Sequence, residues 1–464
     1  MRRFLPLALA LLLLPFALNA QDASGDFGFG DPDFDFWDFG AGDAGASGLP
    51  FSVSGEIKTR LPVFFDDFDG GENAQHASAL DALSARLNVA FTGRSADVFV
   101  NLILSRYSID ELFDGGPRAA HTPLIIDEAF VRGFLGPLTI TSGLRKLTWG
   151  RADSFGPLDV INPIDFSDLT RITEPQRVKI ARPMIHASWA MGFNRNLEAV
   201  FVPWFQGDRF ASSGRWTPSQ IRDLQAGVGP FGINIDDYFP ETATLEYAQG
   251  GVRFTATAGA SDFGIQYFFG RLPRPAVSVH VDMAALPPAV SPYVTHNHFQ
   301  QIGVDFARVI SGFNFRSEAG VNITSDLDGT DGTVENPAFV WSLGFDRDLF
   351  WSVNLNLQGT GSVRFFHSEI GSDPFTEVEA GANRSSTRIT AILSRHFLRN
   401  EIEVRTTALW GIEDRDFLVI PAVAWSRNDV TAELSAGFFG GRRSGELGQY
   451  RDNAFARFVL TYRF

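Results

Sequence analysis

The sequence predicts an all-β protein: a single transmembrane antiparallel up-and-down β-barrel of 16–18 strands, with 18 as the best count. Three observations support this prediction. Apolar and polar residues alternate with a period of two from Phe51 onward, tight turns alternate with long polar segments, and the last strand keeps its alternation to Phe464. Strands that cross a bilayer need about 9–11 residues each and show this alternation, because one face meets lipid and the other meets the lumen.

The composition agrees with a barrel. The chain has 464 residues, of which 44% are hydrophobic and 20% charged, and its mean hydropathy is −0.01. This is too polar for a bundle of membrane helices, whereas the two faces of a barrel average to this value. Phenylalanine is abundant, at 45 residues, and cysteine is absent. The absence of cysteine excludes disulfides, thiolate chemistry, cysteine zinc sites and a lipoprotein anchor. The net charge of −15 and the lack of a basic stripe argue against nucleic-acid binding.

Residues 1–20 are predicted to be a signal peptide. Arg2 and Arg3 precede an apolar run from Leu5 to Leu14, and Ala20 is a small residue before the expected cut. The alternative is an uncleaved membrane anchor. We disfavour it because the apolar run is shorter than the roughly 20 residues that span a bilayer.

Residues 21–50 form an acidic, aromatic low-complexity segment that includes the run Asp33-Phe34-Asp35-Phe36. Its acid load and glycines are typical of a chain that does not fold alone. It is interpreted as a periplasmic tail or as a hatch that docks against arginines of the lumen. Residues 51–464 are then the barrel.

Eight very short turns are predicted to join neighbouring strands into hairpins. They lie at 93–95, 135–137, 194–196, 259–262, 311–312, 346–348, 398–400 and 427–429. Long segments rich in Gly, Asp, Pro and Ser separate the hairpins. These lie at about 60–83, 107–122, 149–182, 207–245, 273–296, 325–336, 367–385 and 440–452. Short turns on the periplasmic side and long loops on the outer side are the topology of outer-membrane barrels, and termini on one side require an even strand number.

The polar face of the strands carries charges of both signs, and such a face must border water rather than hydrocarbon. The predicted lumen charges are Arg86, Arg132, Arg316, Glu318, Arg388, Glu401, Glu403, Arg405, Glu433 and Arg457. They either create a transverse field across a pore or form salt bridges that stabilise the wall, and the sequence does not separate these alternatives.

The last strand places Phe458, Leu460, Tyr462 and Phe464 on one face and Arg457 on the other. A terminal aromatic residue with alternating apolar residues resembles the signal that the outer-membrane insertion machinery recognises. The resemblance implies that this machinery and outer-membrane lipid are partners of the chain. Closure would also protect the flat apolar edge from aggregation.

The densest local motif lies between residues 127 and 166. It combines the run Glu128-Ala129-Phe130-Val131 at a strand start with a Gly-x5-Trp-Gly-x2-Asp pattern at 143–153 and an Asn-Pro-x-Asp pattern at 162–165. The residues selected from it are Trp149, Gly150, Arg151, Asp153, Asn162, Pro163 and Asp165. The pattern resembles a group of porin-like outer-membrane proteins near the alginate-export-type barrels, over about residues 120–205. The resemblance implies an outer-membrane barrel with a transport role and names no solute.

Two interpretations of this segment remain open. It is an inward constriction loop whose charges set solute selectivity, or a structured outer loop held by its own turns and ion pairs. Trp149 falls where a strand leaves the bilayer, a level at which indole rings anchor. Asn162, Pro163 and Asp165 are turn formers.

The predicted function is passive or facilitated diffusion of small solutes through a mixed-charge lumen. One alternative is an adhesin or structural barrel that uses the long segments 207–245 and 273–296. Another is an outer-membrane hydrolase, which is disfavoured because the sequence has neither a nucleophile elbow nor a His-Glu metal helix. No enzyme activity and no cofactor are predicted. His296 and His298 have a spacing that suits a metal, but no third ligand is evident.

Overall fold

The computed structural model describes residues 50–65, 81–107, 124–233, 235–282, 289–373 and 376–464. The predicted signal peptide and nearly all of the acidic aromatic segment lie outside these residues. The strands are β1 (Phe51–Phe64), β2 (Asp81–Thr92), β3 (Ala96–Tyr107), β4 (Leu124–Leu135), β5 (Leu138–Arg145), β6 (Arg182–Ala190), β7 (Arg195–Val202), β8 (Gln249–Ala258), β9 (Ser261–Arg271), β10 (Ala276–Asp282), β11 (Ala289–Thr295), β12 (His298–Ile310), β13 (Phe313–Thr324), β14 (Ala338–Asp348), β15 (Val353–Arg364), β16 (Ser385–Phe397), β17 (Ile402–Gly411), β18 (Asp416–Arg427), β19 (Val430–Gly441) and β20 (Phe455–Arg463).

Eighteen of these strands form one closed antiparallel barrel. Each strand pairs with its neighbour in the chain, and β1 also pairs with β20, so the ladder has no free edge. Strands β10 and β11 form a separate hairpin within the connection from β9 to β12. The best count of 18 strands is therefore confirmed, and the alternative count of 16 is wrong.

All eight predicted tight turns join neighbouring strands, but two are displaced. The connection predicted at 346–348 lies at 349–352, and the one predicted at 194–196 lies at 191–194. The polar run Asp346-Arg347-Asp348 belongs to β14 because its charges have partners there. Asp346 pairs with Arg316 of β13, and the guanidinium of Arg347 lies 4.2 Å from the ring centre of Phe313.

Nine connections lie at the opposite rim, which we call the long-loop rim. In the part of the chain that the structure describes, these connections contain two α-helices: α1 (Pro175–Val178) between β5 and β6, and α2 (Ser219–Val228) between β7 and β8. One of the nine is only four residues long, from 412 to 415, between β17 and β18. This connection is absent from the predicted long segments, because it is as short as the turns at the other rim.

The strand faces alternate as the period-two pattern predicts. On β12, Ile302 and Val304 are about half exposed on the outer surface, whereas Gln301 and Asp305 are buried on the inward face. Aliphatic and aromatic residues dominate the outward face around the barrel, which suits contact with hydrocarbon. Among the described residues, no helix is both long enough and apolar enough to cross a membrane.

The inward face becomes apolar near the long-loop rim of β17 to β20. Leu418 and Ile420 of β18 pack with Phe439 of β19, and side chains of the loops cover them, including Trp216 and Tyr450. This explains why residues 416–426 are apolar on both faces in the sequence. One face meets lipid, and the other meets a buried cluster of loop residues.

The barrel closes between β1 and the end of the chain. Gly55 and Phe464 exchange two backbone hydrogen bonds, of 2.8 and 3.0 Å. A Cβ atom at Gly55 would lie 2.5 Å from the carbonyl oxygen of Arg86 and 2.7 Å from the ring of Phe464. Glycine is therefore required here for β1 to lie against both of its neighbours.

We predict that Gly55→Ala impairs folding. The added methyl group meets a backbone oxygen that cannot move away, and steric strain of this kind costs more than about 1 kcal/mol. The measurement is the fraction of refolded protein that migrates as the compact, heat-modifiable band on a gel.

The control for this prediction is Gly133→Ala on β4, where the nearest atom would lie 3.9 Å from the added Cβ atom. Equal refolding yields for the two variants would contradict the proposed role of Gly55.

Candidate functional site

The connection between β5 and β6, residues 146–181, runs through the interior of the barrel, and we call it the crossing loop. Its first half contacts inward side chains of β7, β12, β13 and β15. Its second half contacts β1 and β20. These two groups of strands lie on different sides of the loop's own attachment at β5 and β6, so the loop extends into the lumen in both directions.

The base of the crossing loop is fastened by Asn162. Its amide oxygen accepts a hydrogen bond from the backbone N–H of Leu147 (2.8 Å), and its amide nitrogen donates to the carbonyls of Arg145 and Ile180. One side chain thus joins the two ends of the loop. Two of the predicted turn residues continue this fastening, since the carbonyl of Pro163 accepts from Ile180 and the N–H of Asp165 donates to Val178.

Trp149 does not anchor at a membrane interface, and that expectation was wrong. The side chain is 1% exposed and packs inside the barrel. Its indole N–H donates to Glu198 of β7 over 3.1 Å. Gly251 of β8 provides the space, because a Cβ atom there would lie 2.9 Å from the indole ring. The tryptophan turns inward because the wall offers an acceptor and a glycine at the same place.

Glu318 of β13 holds the first half of the crossing loop. Its carboxylate accepts hydrogen bonds from the backbone N–H groups of Arg151, Ala152 (2.7 Å) and Leu158 (3.3 Å). Gly150 has a φ of 95°, and a Cβ atom at that position would overlap the carboxylate. The glycine therefore lets the backbone turn its N–H groups onto a charge of the wall.

Three glutamines of the wall contact the backbone of the same half-loop. Gln358 of β15 accepts from the N–H of Asp153 (2.8 Å) and donates to the carbonyl of Ser154 (2.7 Å). Gln301 and Gln266 donate to the carbonyls of Pro157 and Leu158. An amide side chain both donates and accepts, so it can replace the water that a loop backbone would otherwise bind.

Charged side chains complete this half of the site. Arg151 pairs with Asp305 of β12 over 2.8 Å and lies 3.4 Å from Asp262 of β9. Asp153 pairs with Arg316 of β13 over 2.6 Å. The crossing loop and the wall are thus joined by complementary charges, and several of these groups are buried, where an unpaired charge would be costly.

The second half of the crossing loop is held by Glu174. Its carboxylate lies 3.3 Å from Arg457 of β20, 3.8 Å from Arg60 of β1 and 3.5 Å from Arg177. Burial raises the pKa of Glu174, but Arg60, Lys58 and the other two cations outweigh it and hold the pKa well below its usual range. Glu174 therefore stays ionised, and this half of the loop stays attached, under mildly acidic conditions.

Within the described residues, the other predicted lumen charges also have side-chain partners, with the exception of Glu401. Arg86 lies 3.2 Å from Asp127, and Arg132 lies 2.6 Å from Asp97. The remaining contacts are Arg388 with Glu446 at 2.8 Å, Arg405 with Glu403 at 3.3 Å, and Glu433 with Arg405 and Arg457, each at 3.1 Å. Glu401 lies in the turn before β17 rather than within a strand. Because most of these charges are paired, the structure favours salt bridges that stabilise the wall over unpaired charges that create a transverse field across the pore.

Sequence reasoning missed several residues of the site. Asp305, Gln301 and Gln358 are polar members of the same alternation, so a complete list of the inward face would have included them. It overlooked them because it selected only charges in the clearest strands. The alternation cannot show which of these side chains meet the crossing loop, because that depends on how the loop folds.

One sector of the lumen wall makes no hydrogen bond with the crossing loop among the described residues. This sector comprises Arg388 of β16 and Glu403 and Arg405 of β17. The three side chains keep 27%, 23% and 35% of their surface exposed to solvent. Within the described part of the chain, no group of three or more acidic or histidine side chains is arranged to hold a metal ion.

Comparison with solved structures finds chains of similar fold. OccAB4 of Acinetobacter baumannii matches with a TM-score of 0.50 and 8% sequence identity, over 90% of this chain and 98% of that one. The Acinetobacter baumannii outer membrane channel DcaP matches at 0.40 and 9%, over 89% and 97%. Wzi of Escherichia coli, a carbohydrate-binding outer-membrane β-barrel, matches at 0.46 and 10%, over 90% and 85%. At such identities the likeness concerns the fold. No protein-family model matches the chain, and no curated protein sequence matches it.

We predict that Glu318→Ala loosens the crossing loop. Three backbone N–H groups lose their acceptor, and each one that stays buried without a partner costs on the order of 1–3 kcal/mol. Residues 151–158 should exchange their amide hydrogens faster, which mass spectrometry of the refolded protein measures.

The control for the Glu318 prediction is Ser342→Ala, at the position directly opposite Glu318 on β14. If both variants protect residues 151–158 as well as the parent protein does, Glu318 does not hold the loop.

The packing of the loops should be pH-dependent because of Asp208, which lies in the connection between β7 and β8. Its carboxylate accepts from the N–H of Ile164 in the crossing loop (2.8 Å), and its own N–H donates to Pro273 (2.9 Å). Burial raises the pKa of Asp208 to about 6, against the lowering by the Ile164 hydrogen bond and Arg274. Because the folded pKa is the higher one, the folded state binds this proton more tightly. Stability should therefore fall as the pH rises through about 6.

We predict that the parent protein gains thermal stability between pH 7 and pH 5, by at most about 1.4 kcal/mol per pH unit from this group. Asp208→Asn cannot titrate, so it should lose that part of the pH dependence. Melting curves at matched pH values test this, and parallel curves for the two proteins would contradict it.

Proposed function

We propose that this chain is a porin-like channel of the Gram-negative outer membrane, through which small solutes diffuse passively or by facilitated diffusion. The observation that carries the proposal is a closed 18-stranded barrel with an apolar outer face and a polar inward face, narrowed by a loop that the wall holds in place. Barrels of 16–18 strands are wide enough for an aqueous passage unless something fills them.

The path we propose runs along the inward face of β16 and the part of β17 around Glu403 and Arg405, because loop side chains bury Leu409 of β17 nearer the long-loop rim. The crossing loop covers β12, β13 and β15 on one side and reaches β1 and β20 on the other. Between these regions, Arg388, Glu403 and Arg405 remain partly in contact with solvent. Charges of both signs on the path suit small polar solutes rather than apolar ones.

The apolar outer face of the barrel also supports a location in the outer membrane. A band of exposed aliphatic and aromatic side chains surrounds the barrel, and lipid is the solvent that makes such a surface stable. Residues 1–20 provide the export signal that this location requires. The strand that ends in Phe464 fits recognition by the insertion machinery, and kinship with alginate-export-type barrels remains a prediction from the motif between 127 and 166.

The adhesin alternative has a structural basis of its own. The connections from β7 to β8 and from β9 to β12 pack together through Val228, Leu224 and Val294, and they expose Leu245 and Tyr293. This surface is suited to contact other molecules, but it does not explain a polar interior. We therefore rank diffusion through the lumen first. A hydrolase ranks last, because the sequence has neither a nucleophile elbow nor a His-Glu metal helix.

Because the chain contains no cysteine, a thiol reagent reacts only with a cysteine introduced on the proposed path. We predict that Arg405→Cys, reconstituted in a planar bilayer, shows a stepwise fall in single-channel conductance when a bulky charged thiosulfonate reagent is added. The reagent attaches to the new thiol and should occupy the passage.

The matched control for the conductance test is Val423→Cys on β18, which lies on the outward face and is 43% exposed. Its conductance should not change. If the parent protein shows no channel events at any salt concentration, the channel proposal fails. Binding of cells or glycans would then favour an adhesin, and hydrolysis of lipid or peptide would favour an enzyme.

A further inference from the structure

An aromatic strip on the outer surface marks one end of the lipid-facing zone near the long-loop rim. Trp410, Phe417 and Phe438, on β17, β18 and β19, are 54%, 42% and 38% exposed. The ring of Phe65, just beyond β1, stacks on that of Phe438 with 6.3 Å between their centres. Aromatic side chains collect where hydrocarbon meets lipid headgroups, so groups just beyond this strip lie at headgroup level.

Two arginines lie directly beyond the strip and face each other across the ladder. Arg415 precedes β18 and Arg442 follows β19, next to the pair Asp416 and Gly441. The N–H of Arg442 donates to the carbonyl of Arg415 over 3.2 Å. Both side chains are exposed, and neither forms an ion pair with any residue in the described ranges. Like charges in opposite positions repel each other and destabilise a β-ladder. A bound anion between the two arginines would remove this repulsion.

The nearby acids do not supply that anion, because they accept hydrogen bonds from β16 and from a residue just before it. Glu413 accepts hydrogen bonds from Ser385 and Thr387, and Asp414 accepts from Asn383. The backbone of Arg415 has a φ of 52°, a conformation that costs energy for a side chain other than glycine. The turn thus directs its acids toward one strand and leaves its arginine on the other side.

Two further arginines extend the positive charge along the rim. Arg443 lies 3.0 Å and Arg451 3.9 Å from the same carboxylate, that of Asp452. Two of the four arginines in this patch therefore share one carboxylate, and the other two form no ion pair within the described residues. This local excess is notable in a chain whose net charge is −15. We call Arg415, Arg442, Arg443 and Arg451 the rim arginines.

We infer that the rim arginines bind the phosphate groups of a lipid in the outer leaflet. The guanidinium group matches phosphate in geometry and charge, and cations at headgroup level attract anionic lipids. A lipid-borne phosphate fits better than a free one, because the patch adjoins the surface against which acyl chains would lie. The inference rests on the membrane location in the proposed function, but not on conduction.

The test measures binding of diphosphorylated lipid A to the full-length refolded protein in neutral detergent, by native mass spectrometry. The double variant Arg415→Gln/Arg442→Gln should bind roughly tenfold more weakly than the parent protein, since two of four cations are lost. Lipid A from which both phosphates have been removed should bind the parent protein as weakly. Heat-modifiable gel mobility tests whether the double variant is folded. If it does not fold, the single variant Arg442→Gln replaces it in the binding measurement.

The matched control is Arg399→Gln/Arg427→Gln, which removes two exposed arginines at the opposite rim, one in a turn and one at the end of β18. It should bind like the parent protein. Equal loss in both double variants would show a nonspecific charge effect and would overturn the inference. Equal binding of lipid A with and without its phosphates would also overturn the inference. Displacement of the lipid by millimolar inorganic phosphate would overturn it as well. Single-channel conductance should stay unchanged in Arg415→Gln/Arg442→Gln, so loss of lipid binding and failure of the channel proposal are separate results.

Discussion

The structure depends on one constraint: each backbone N–H and carbonyl group that faces lipid must find a partner within the chain. Hydrocarbon offers no hydrogen bonds, so a sheet can cross a bilayer only if its ladder closes on itself. The pairing of β1 with β20, fitted around Gly55 and Phe464, satisfies this requirement. Closure over 18 strands also encloses more space than the side chains of the wall can fill, and the loops occupy much of it.

Wall carboxylates that accept backbone N–H groups recur as the device that positions these loops. Glu318 does so for residues 151–158 of the crossing loop. Asp416 of β18 does the same for a second loop, where its carboxylate accepts from Leu447 and Gly448. In each case a glycine of the loop lies against the carboxylate, Gly150 for Glu318 and Gly445 for Asp416. The pairing of an acid in one segment with a glycine in another lets the backbone approach closely enough to use the charge.

The sequence was sufficient to predict the barrel, because lipid and water impose opposite preferences on alternate residues. It was also sufficient to select the crossing segment from its turn formers, of which Asn162 and Asp165 fasten the loop. It placed Trp149 at the wrong surface, because indole rings suit both a membrane interface and a buried position with an acceptor. The choice between them was made by Glu198 and Gly251, which come about 50 and 100 residues later. Such contacts leave no local pattern in the chain.

The attachment of the crossing loop has a consequence for the order of events in folding. Arg151 meets a partner 167 residues further along the chain, and Asp153 meets one 205 residues away. Contacts between such distant residues form late in folding, because the chain loses conformational entropy when a long loop closes, before the contacts themselves stabilise it. The first half of the barrel therefore supplies only part of the attachment of this loop. A chain truncated before β13 would contain the whole loop and its partners on β7, β9 and β12, but it would lack Glu318 and Gln358.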